Sequence, residues 1–389
     1  MNTPDPDKAR LEGLAHRGIE ALRRGNGGAA REAFEAITAS GRATPQIWLL
    51  LAQACDLADD RPAARGALAQ VLQSDPGNPY ALVMHGEMFT RDGDDRAASN
   101  WYDRAIDAGR RIASPPVDLT ARLERATTER AAIAGRFAGA MNAALARAGV
   151  DAAAVGPRFA ESLAIVAGNA QPRLQEPTSF YFPGLPQRAF YDPAEFAWSA
   201  AVEAAAPAVR AEAEAVLADR SGVAPYVEAP KDRPAKPHSL MGDPRWSAFH
   251  LWLNGAAVAA NAARCPAAVA ALRDLPVPAS AGRSPLALFS ILAPGTHIQP
   301  HHGMLNTRLI CHLPLIVPPG CRLRVGNSVQ NVEAGKLLIF DDSIEHEAWN
   351  DSDMIRVVLL FEIWRPELTA AERTGLTAIF ESITMYGSE

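Results

Sequence analysis

A period of 34 residues governs the first third of the chain. Leu14, Trp48 and Leu82 recur at that spacing, as do Gly18, Ala52 and Gly86. Ala30, Ala64 and Ala98 form a third series, and Phe34, Leu68 and Tyr102 a fourth. Pro45 and Pro79 open successive units, and Gly25, Asp59 and Gly93 mark turns within them. The stretch is rich in Ala and Leu and poor in β-branched residues, which favours helix. Each unit therefore reads as a helical hairpin that buries its apolar face only against its neighbours, so the units must stack. The small residues belong where paired helices approach closely, and the large ones fill the grooves between them.

This pattern resembles the tetratricopeptide repeat, with about three units over residues 8–112. Ser114-Pro115-Pro116 then breaks the chain, and a further helix over 117–148 would cap the stack. Residues 113–170 are assigned to this connecting helix and a linker. The concave surface of such a stack is where a peptide partner would be held.

From residue 171 prolines and aromatics become frequent, which predicts extended, loop-rich chain. A helix is expected over 194–218, with Pro207 as a kink or a boundary. Residues 223–245 read as irregular, 246–263 as a short strand and a helix, and 264–275 as a proline-started helix. Short apolar stretches follow at 286–293, 308–317, 321–326, 336–340 and 355–364. Their spacing predicts a small all-β domain, for which a jelly roll is a natural form. A C-terminal helix is expected after Pro366, with Thr369 and Glu372 as a capping box.

Charge and composition narrow the function. The net charge of −6 over 389 residues offers no basic face for nucleic acid. No apolar run reaches the length of a membrane span, and the polar N-terminus lacks the pattern of a signal peptide. The four cysteines are too scattered for a disulfide framework or a zinc ribbon. A reduced, cytoplasmic protein is expected. Five of the nine histidines (His297, His301, His302, His312 and His346) fall within one 50-residue window. Imidazole suits iron, copper, nickel and zinc alike. His301 lies on a Pro-His-His-Gly turn, and no carboxylate stands two residues on, where Gly303 is found.

The stretches SILAPGTHIQPHHGMLNTRLICHLPL, GKLLIFDDSIEHEAWNDSD and RVVLLFEIWRPELTAAER resemble the aspartyl/asparaginyl β-hydroxylase domain. FYFPGLPQRAFYD and WSAFHLW extend the resemblance to roughly 175–375. It implies a double-stranded β-helix (jelly-roll) oxygenase domain with flanking helices over 171–389, and so a multidomain α and β chain. The resemblance also implies Fe(II), with 2-oxoglutarate and O₂ as co-substrates. His301 and His346 take the metal-ligand positions, with His302 the rival to His301. Gly303 stands in the family's vacant third place, and Asp342 matches an acid that holds a metal-bound water. Ser290, Arg308, His312 and Arg356 are the co-substrate candidates, Arg356 for the far carboxylate of 2-oxoglutarate. Animal members carry two alternating arginines where this chain has Arg308-Leu309-Ile310, so Ile310 replaces the second cation. The implied reaction is hydroxylation of an unactivated carbon, foremost the β-carbon of Asp or Asn in a peptide or protein. Two other readings stay open: a lipid or small-metabolite oxygenase of the same fold, or a repeat scaffold with a silent jelly roll. His297 and His302 receive no role.

Overall fold

The computed structural model describes residues 6–229, 234 and 238–386. Residues 230–233 and 235–237, part of the stretch expected to be irregular, lie outside the described residues. The chain divides into two compact units, Met1–Asn169 and Ala170–Glu389.

The first unit is helical. Its first six helices are α1 (Pro6–Arg23), α2 (Gly27–Thr38), α3 (Pro45–Leu57), α4 (Arg61–Ser74), α5 (Pro79–Arg91) and α6 (Asp95–Arg110). The long α7 (Val117–Arg147) and the shorter α8 (Ala152–Val155) and α9 (Pro157–Val166) follow. The 34-residue period extends to the caps. Asn26, Asp60 and Asp94 each accept a hydrogen bond from the backbone N–H three residues on, at the start of α2, α4 and α6. Thr44 and Asn78 do the same for α3 and α5. Such caps satisfy backbone donors that the first helical turn leaves free. Gly25, Asp59 and Gly93, just before the caps, adopt positive φ.

The repeated small residues have a packing cause. A Cβ on Gly18 would stand 2.6 Å from the Phe34 ring, and one on Gly86 would stand 2.5 Å from the Tyr102 ring. The middle repeat uses Ala52 and Leu68 at the same places, both fully buried. A smaller partner on the second helix thus permits a methyl on the first.

The second unit holds twelve strands among its described residues: β1 (Phe190–Tyr191), β2 (Ala224–Pro225), β3 (Trp246–Leu253), β4 (Ala256–Ala257), β5 (Ala287–Leu292), β6 (Thr296–His301), β7 (Arg308–Ile316), β8 (Cys321–Val325), β9 (Ser328–Asn331), β10 (Leu338–Phe340), β11 (His346–Asn350) and β12 (Arg356–Trp364). A major sheet runs β1-β10-β7-β12-β5-β3-β2, with β4 also on β3, and a minor sheet runs β6-β11-β8-β9. All named pairings are antiparallel. This two-sheet arrangement is the expected jelly roll.

Strand alternation divides the core. Phe289, Ile291, Leu309, Cys311, Leu359 and Phe361 join Val209, Ala213, Val216 and Leu272 in one apolar cluster. Those last four belong to α11 (Ala206–Asp219) and α13 (Pro266–Leu272), which follow the shorter α10 (Ser199–Ala204) and α12 (Ala259–Ala262) respectively. The alternate residues Leu288, Leu292, Ile310, Phe340 and Leu360 cluster instead with Leu323, Val325, Ile344 and Ala348 of the minor-sheet side. That second cluster lines the space between the sheets.

Several boundaries differ from expectation. The helix expected over 194–218 is a short 3-10 turn, α10 and α11, and Pro207 lies in the first turn of α11. Pro207 is thus a boundary. His301 ends β6 rather than standing on a turn. Pro300 is tolerated there because β6 is an edge strand, where a missing N–H removes no ladder bond. The last helix, α14 (Ala370–Tyr386), starts as expected. Glu372 accepts from the Thr369 N–H at 2.7 Å, and its own N–H donates to Thr369 Oγ1 at 3.3 Å.

The repeat packing makes a testable coupling. Gly86→Ala should destabilise the helical unit by about 1–3 kcal/mol through overpacking. In a Tyr102→Leu background, which recreates the Ala52–Leu68 pair, the same change should cost at least about 1 kcal/mol less. Urea denaturation of the four proteins measures the coupling; strictly additive effects would refute the packing account.

Candidate active site

β6 and β11 are neighbours in the minor sheet, and His301 and His346 are register partners across them. Their ring centroids lie 4.1 Å apart. His301 Nδ1 meets the Gln299 carbonyl at 2.8 Å, and His346 Nδ1 meets the Ile344 carbonyl at 3.1 Å. A carbonyl can only accept, so each Nδ1 carries the proton and each Nε2 keeps a lone pair. Burial, and next the neighbouring His301, push His346 down to about 3; burial also lowers His301. Both rings are therefore neutral near pH 7, with Nε2 in the state a metal requires. Among the described residues no group of three or more His, Cys, Asp or Glu is placed to hold a metal. The site brings together two neutral imidazoles.

The space beside them is filled by Asp342. A Cβ on Gly303 would stand 2.1 Å from Asp342 Oδ2. Gly303 is not among the positive-φ glycines, so volume, not backbone conformation, requires it. Its N–H donates to the Asp342 carbonyl at 2.6 Å, which holds the two residues together. Asp342 is buried and its Oδ1 has no hydrogen-bond partner. Burial raises its carboxyl to about 7, against the lowering pull of Arg308.

Arg356 opens β12 and is 2% exposed. Its Nε and Nη1 have no hydrogen-bond partner. Burial lowers the guanidinium to about 10, with Cys321 the opposing influence. Val358 is paired in register with Ser290, so Ser290 and Arg356 share the inner face of adjacent strands. Ser290 Oγ accepts from Trp246 Nε1 at 3.1 Å, leaving its own hydrogen free to donate. His312 lies on the neighbouring strand, with Nδ1 unpartnered and its ring edge-on to Phe340 at 5.0 Å. Burial, then Arg356 and His346, hold it neutral. Buried polar atoms are normally satisfied. Here an arginine, a histidine and a carboxylate all await partners around one inner face.

Arg308 stands apart from this group. It is register-paired with Trp364, at the far end of β12 from Arg356. It donates to Glu362, which is fully buried and also accepts from the Leu286 N–H at 3.0 Å. Arg308 Nη2 lies 3.8 Å from Asp342 Oδ2. Burial opposes its charge, but Glu362 and Asp342 outweigh burial and raise it. Six residues separate Glu362 from Arg356, about 20 Å of strand at about 3.3 Å per residue. The structure thus groups Arg356, Ser290 and His312, and places Arg308 with Asp342 and Gly303.

Other residues complete the picture. Trp246 stacks on Tyr226 with centroids 4.2 Å apart and lies 6.3 Å from His301. His238 lies 6.3 Å from His301. Sequence reasoning took Trp246 only as part of a motif and missed Tyr226, His238 and Glu362; none carried a local signal. His297 bonds Glu347 at 2.7 Å and stacks on Trp349 at 4.8 Å. His302 lies 4.0 Å from Glu176. These two histidines support the strand and rim beside the paired rings.

The second unit is thus a jelly roll with two adjacent neutral histidines on one sheet and a buried arginine on the inner face of the other. Residues 203–366 match the family model described as aspartyl/asparaginyl beta-hydroxylase, and the resemblance read from the motifs holds. The human aspartyl/asparaginyl beta-hydroxylase is 40% identical over 135 residues, 34% of this chain and 18% of that protein. The ornithine lipid ester-linked acyl 2-hydroxylase of Rhizobium tropici is 40% identical over 179 residues, 45% of this chain and 60% of that one. Human aspartate beta-hydroxylase domain-containing protein 1 is 35% identical over 211 residues, 53% of this chain and 52% of that one. The chain spans less than two thirds of each of these relatives.

The close approach of residues 303 and 342 has a measurable consequence. Gly303→Ala should destabilise the protein by about 1–3 kcal/mol. In an Asp342→Ala background most of that penalty should vanish, as read by chemical denaturation. Equal penalties in both backgrounds would show that Asp342 does not fill the space.

Proposed function

We propose that the second unit is an Fe(II)- and 2-oxoglutarate-dependent hydroxylase of an unactivated carbon. The observation that carries this reading is Arg356, a buried cation with no hydrogen-bond partner on Nε or Nη1, on the inner wall of a domain whose other sheet presents two neutral histidines. The donor set fits the implied metal: His301 and His346 would hold it through Nε2, leaving positions for water and small molecules. When bound, the iron supplies the redox chemistry that couples O₂ consumption to co-substrate decarboxylation. The reaction balances as R–H, O₂ and 2-oxoglutarate giving R–OH, succinate and CO₂.

The chain's own residues bind and orient. Arg356 offers planar donors to the far carboxylate of 2-oxoglutarate, and Ser290 adds a hydroxyl fixed by Trp246. His312 lies toward the carboxylate nearer the metal, where a neutral ring neither repels nor protonates it. Asp342 Oδ1 is free to hold a water beside the metal. The apolar walls of Leu288, Leu292, Phe340 and Leu360 keep bulk water out. The family description points to the β-carbon of Asp or Asn in a peptide as the acceptor, and the helical repeats would help hold that peptide. No described helix is long and apolar enough to cross a membrane. The cytoplasmic reading rests on the few, scattered cysteines of the sequence.

Arg356 gives the sharper test. An unpaired buried cation destabilises a fold, and an apolar isostere relieves that. Arg356→Met should raise the melting temperature of the ligand-free protein and abolish the upward shift that 2-oxoglutarate produces in the wild type. If the variant still responds to 2-oxoglutarate, Arg356 is not its anchor. Anaerobic Fe(II) with 2-oxoglutarate should also give a weak visible absorption band that is absent in His346→Ala. No band, together with no succinate formed from 2-oxoglutarate, would favour a repeat scaffold with a silent jelly roll.

A further inference from the structure

The two histidines face each other because of a bulge. Side chains alternate along a strand, so with Ile298 in the inner apolar cluster, His301 three residues on would point outward. Instead, the stretch of β6 from Ile298 to His301 opposes the shorter stretch of β11 from Ala348 to His346. The extra residue reverses the alternation and turns His301 to the side of His346. The backbone alone secures this turn weakly. Among the described residues β6 is an edge strand that pairs with β11 alone, and Pro300 within the bulge has no N–H to donate.

A side-chain bridge crosses the outer face at the same place. Glu347 lies between the inward His346 and Ala348, so it stands on the opposite face of β11. It is 8% exposed, and both of its oxygens are used. Oε1 accepts from Nε of Arg324, its register partner on β8, and Oε2 meets His297 Nε2 on β6 at 2.7 Å. The Gln299 amide donates to His297 Nδ1 at 2.9 Å, so Nε2 carries the proton and donates to Glu347. Gln299 is also the residue whose carbonyl accepts from His301. On the other side, Arg324 donates to Glu345 at 2.8 Å and to the Gly326 carbonyl at 2.7 Å, and Arg173 lies 3.0 Å from the second oxygen of Glu345. A chain of bonds from Arg324 through Glu347 and His297 to Gln299 thus spans β8, β11 and β6 and ends at the carbonyl that orients His301.

We propose that Glu347 is a positioning residue for the histidine pair: by bridging Arg324 and His297 across the bulge, it fixes the register in which His301 faces His346. It acts from the outer face, through the strands, and is not itself a ligand. A one-residue slip of β6 would carry His301 to the outer face and leave His346 alone. The inference rests on the metal site of the hydroxylase reading and adds the residue that aims its ligands.

The experiment titrates Co(II) alone into the full chain and follows its visible absorption; the site's own signal is the part missing in His346→Ala. Glu347→Ala should weaken that site about tenfold or more and alter its band. His297→Phe keeps a ring on Trp349 but no donor, and should weaken the site about threefold or more. His297→Gln returns an N–H to Glu347 and should stay within about twofold of wild type. Leu272→Ala lowers stability from the apolar cluster behind the major sheet, away from the bridge, and should leave the affinity within about twofold. In the metal-free protein, amide exchange over residues 296–301 should quicken about tenfold in Glu347→Ala and stay unchanged over 356–364. An affinity loss in Glu347→Ala no larger than in Leu272→Ala overturns the proposal, as does unaltered exchange over 296–301. If Glu347→Ala does not fold, the His297 variants decide: equal affinities for Phe and Gln overturn it. A wild type that binds no Co(II) at His346, with exchange quickened as expected, would instead remove the hydroxylase reading and leave the bridge standing.

Discussion

The second unit is organised around a buried ion pair that does no chemistry. Arg365 and Asp341 are both fully buried and meet at 2.7 Å. Asp341 also accepts from Gln175 Nε2 at 2.7 Å and from the Ser343 N–H at 3.0 Å. Arg365 spends its remaining donors on the carbonyls of Asn306 and Pro186 and on the Tyr191 hydroxyl. Charges taken out of water repel the fold unless every lone pair and proton is matched. Here they are matched by groups from four separate stretches of chain: the arm at 175–191, the loop before β7, the turn after β10 and the end of β12. The turn so fixed carries Asp342 and leads directly into His346. The position of His346 thus depends on an arginine nineteen residues beyond it.

Three arginines in the second half of the domain, Arg356 and Arg365 buried and Arg308 half-buried, then separate by partner. Arg365 is saturated and structural. Arg308 donates to Glu362 through Nη1, while its Nε has no hydrogen-bond partner. Among the described residues Arg356 meets no carboxylate, and its guanidinium is lowered to about 10 by burial. A folded protein retains such an uncompensated cation only at a cost in stability. An anion placed against Arg356 would remove that cost by completing an interaction that the fold leaves open. Burial also holds His301 and His346 neutral, against the raising pull of the carbonyls that they bond, and a protonated pair at 4.1 Å would repel each other.

The repeat unit was legible almost completely, because its period is written in packing, turns and caps at once. Gly18 and Gly86 are small for a reason visible in their partners sixteen residues on, Phe34 and Tyr102. In the β domain, legibility followed burial. β5, β7 and β12 are covered on both faces and read as continuous apolar runs. β6 and β11, which carry the two histidines, read as THIQPH and HEAWN. One face of each lies outward, so polar residues interrupt them and no run appears. The resemblance supplied His301 and His346 as a pair, but not why Gly303 must be glycine. That reason lies in Asp342, thirty-nine positions away. Glu362 was hidden for the same cause: within a strand motif its charge has no visible partner until β7 is laid beside β12.

Gly303 and Asp342 together show how a two-histidine site is kept. A side chain at 303 and a carboxylate at 342 cannot occupy the same volume, so the site holds one acidic group there and takes it from the later position. That choice moves the acid onto the turn locked by Arg365 and Asp341 and brings it within 3.8 Å of Arg308. A carboxylate at 303 would be carried by the edge of β6, free of that network. Placed at 342, it belongs at once to the turn that leads into His346 and to the surroundings of Arg308. The surroundings of both residues are therefore set by one residue pair, and neither can be altered without the other.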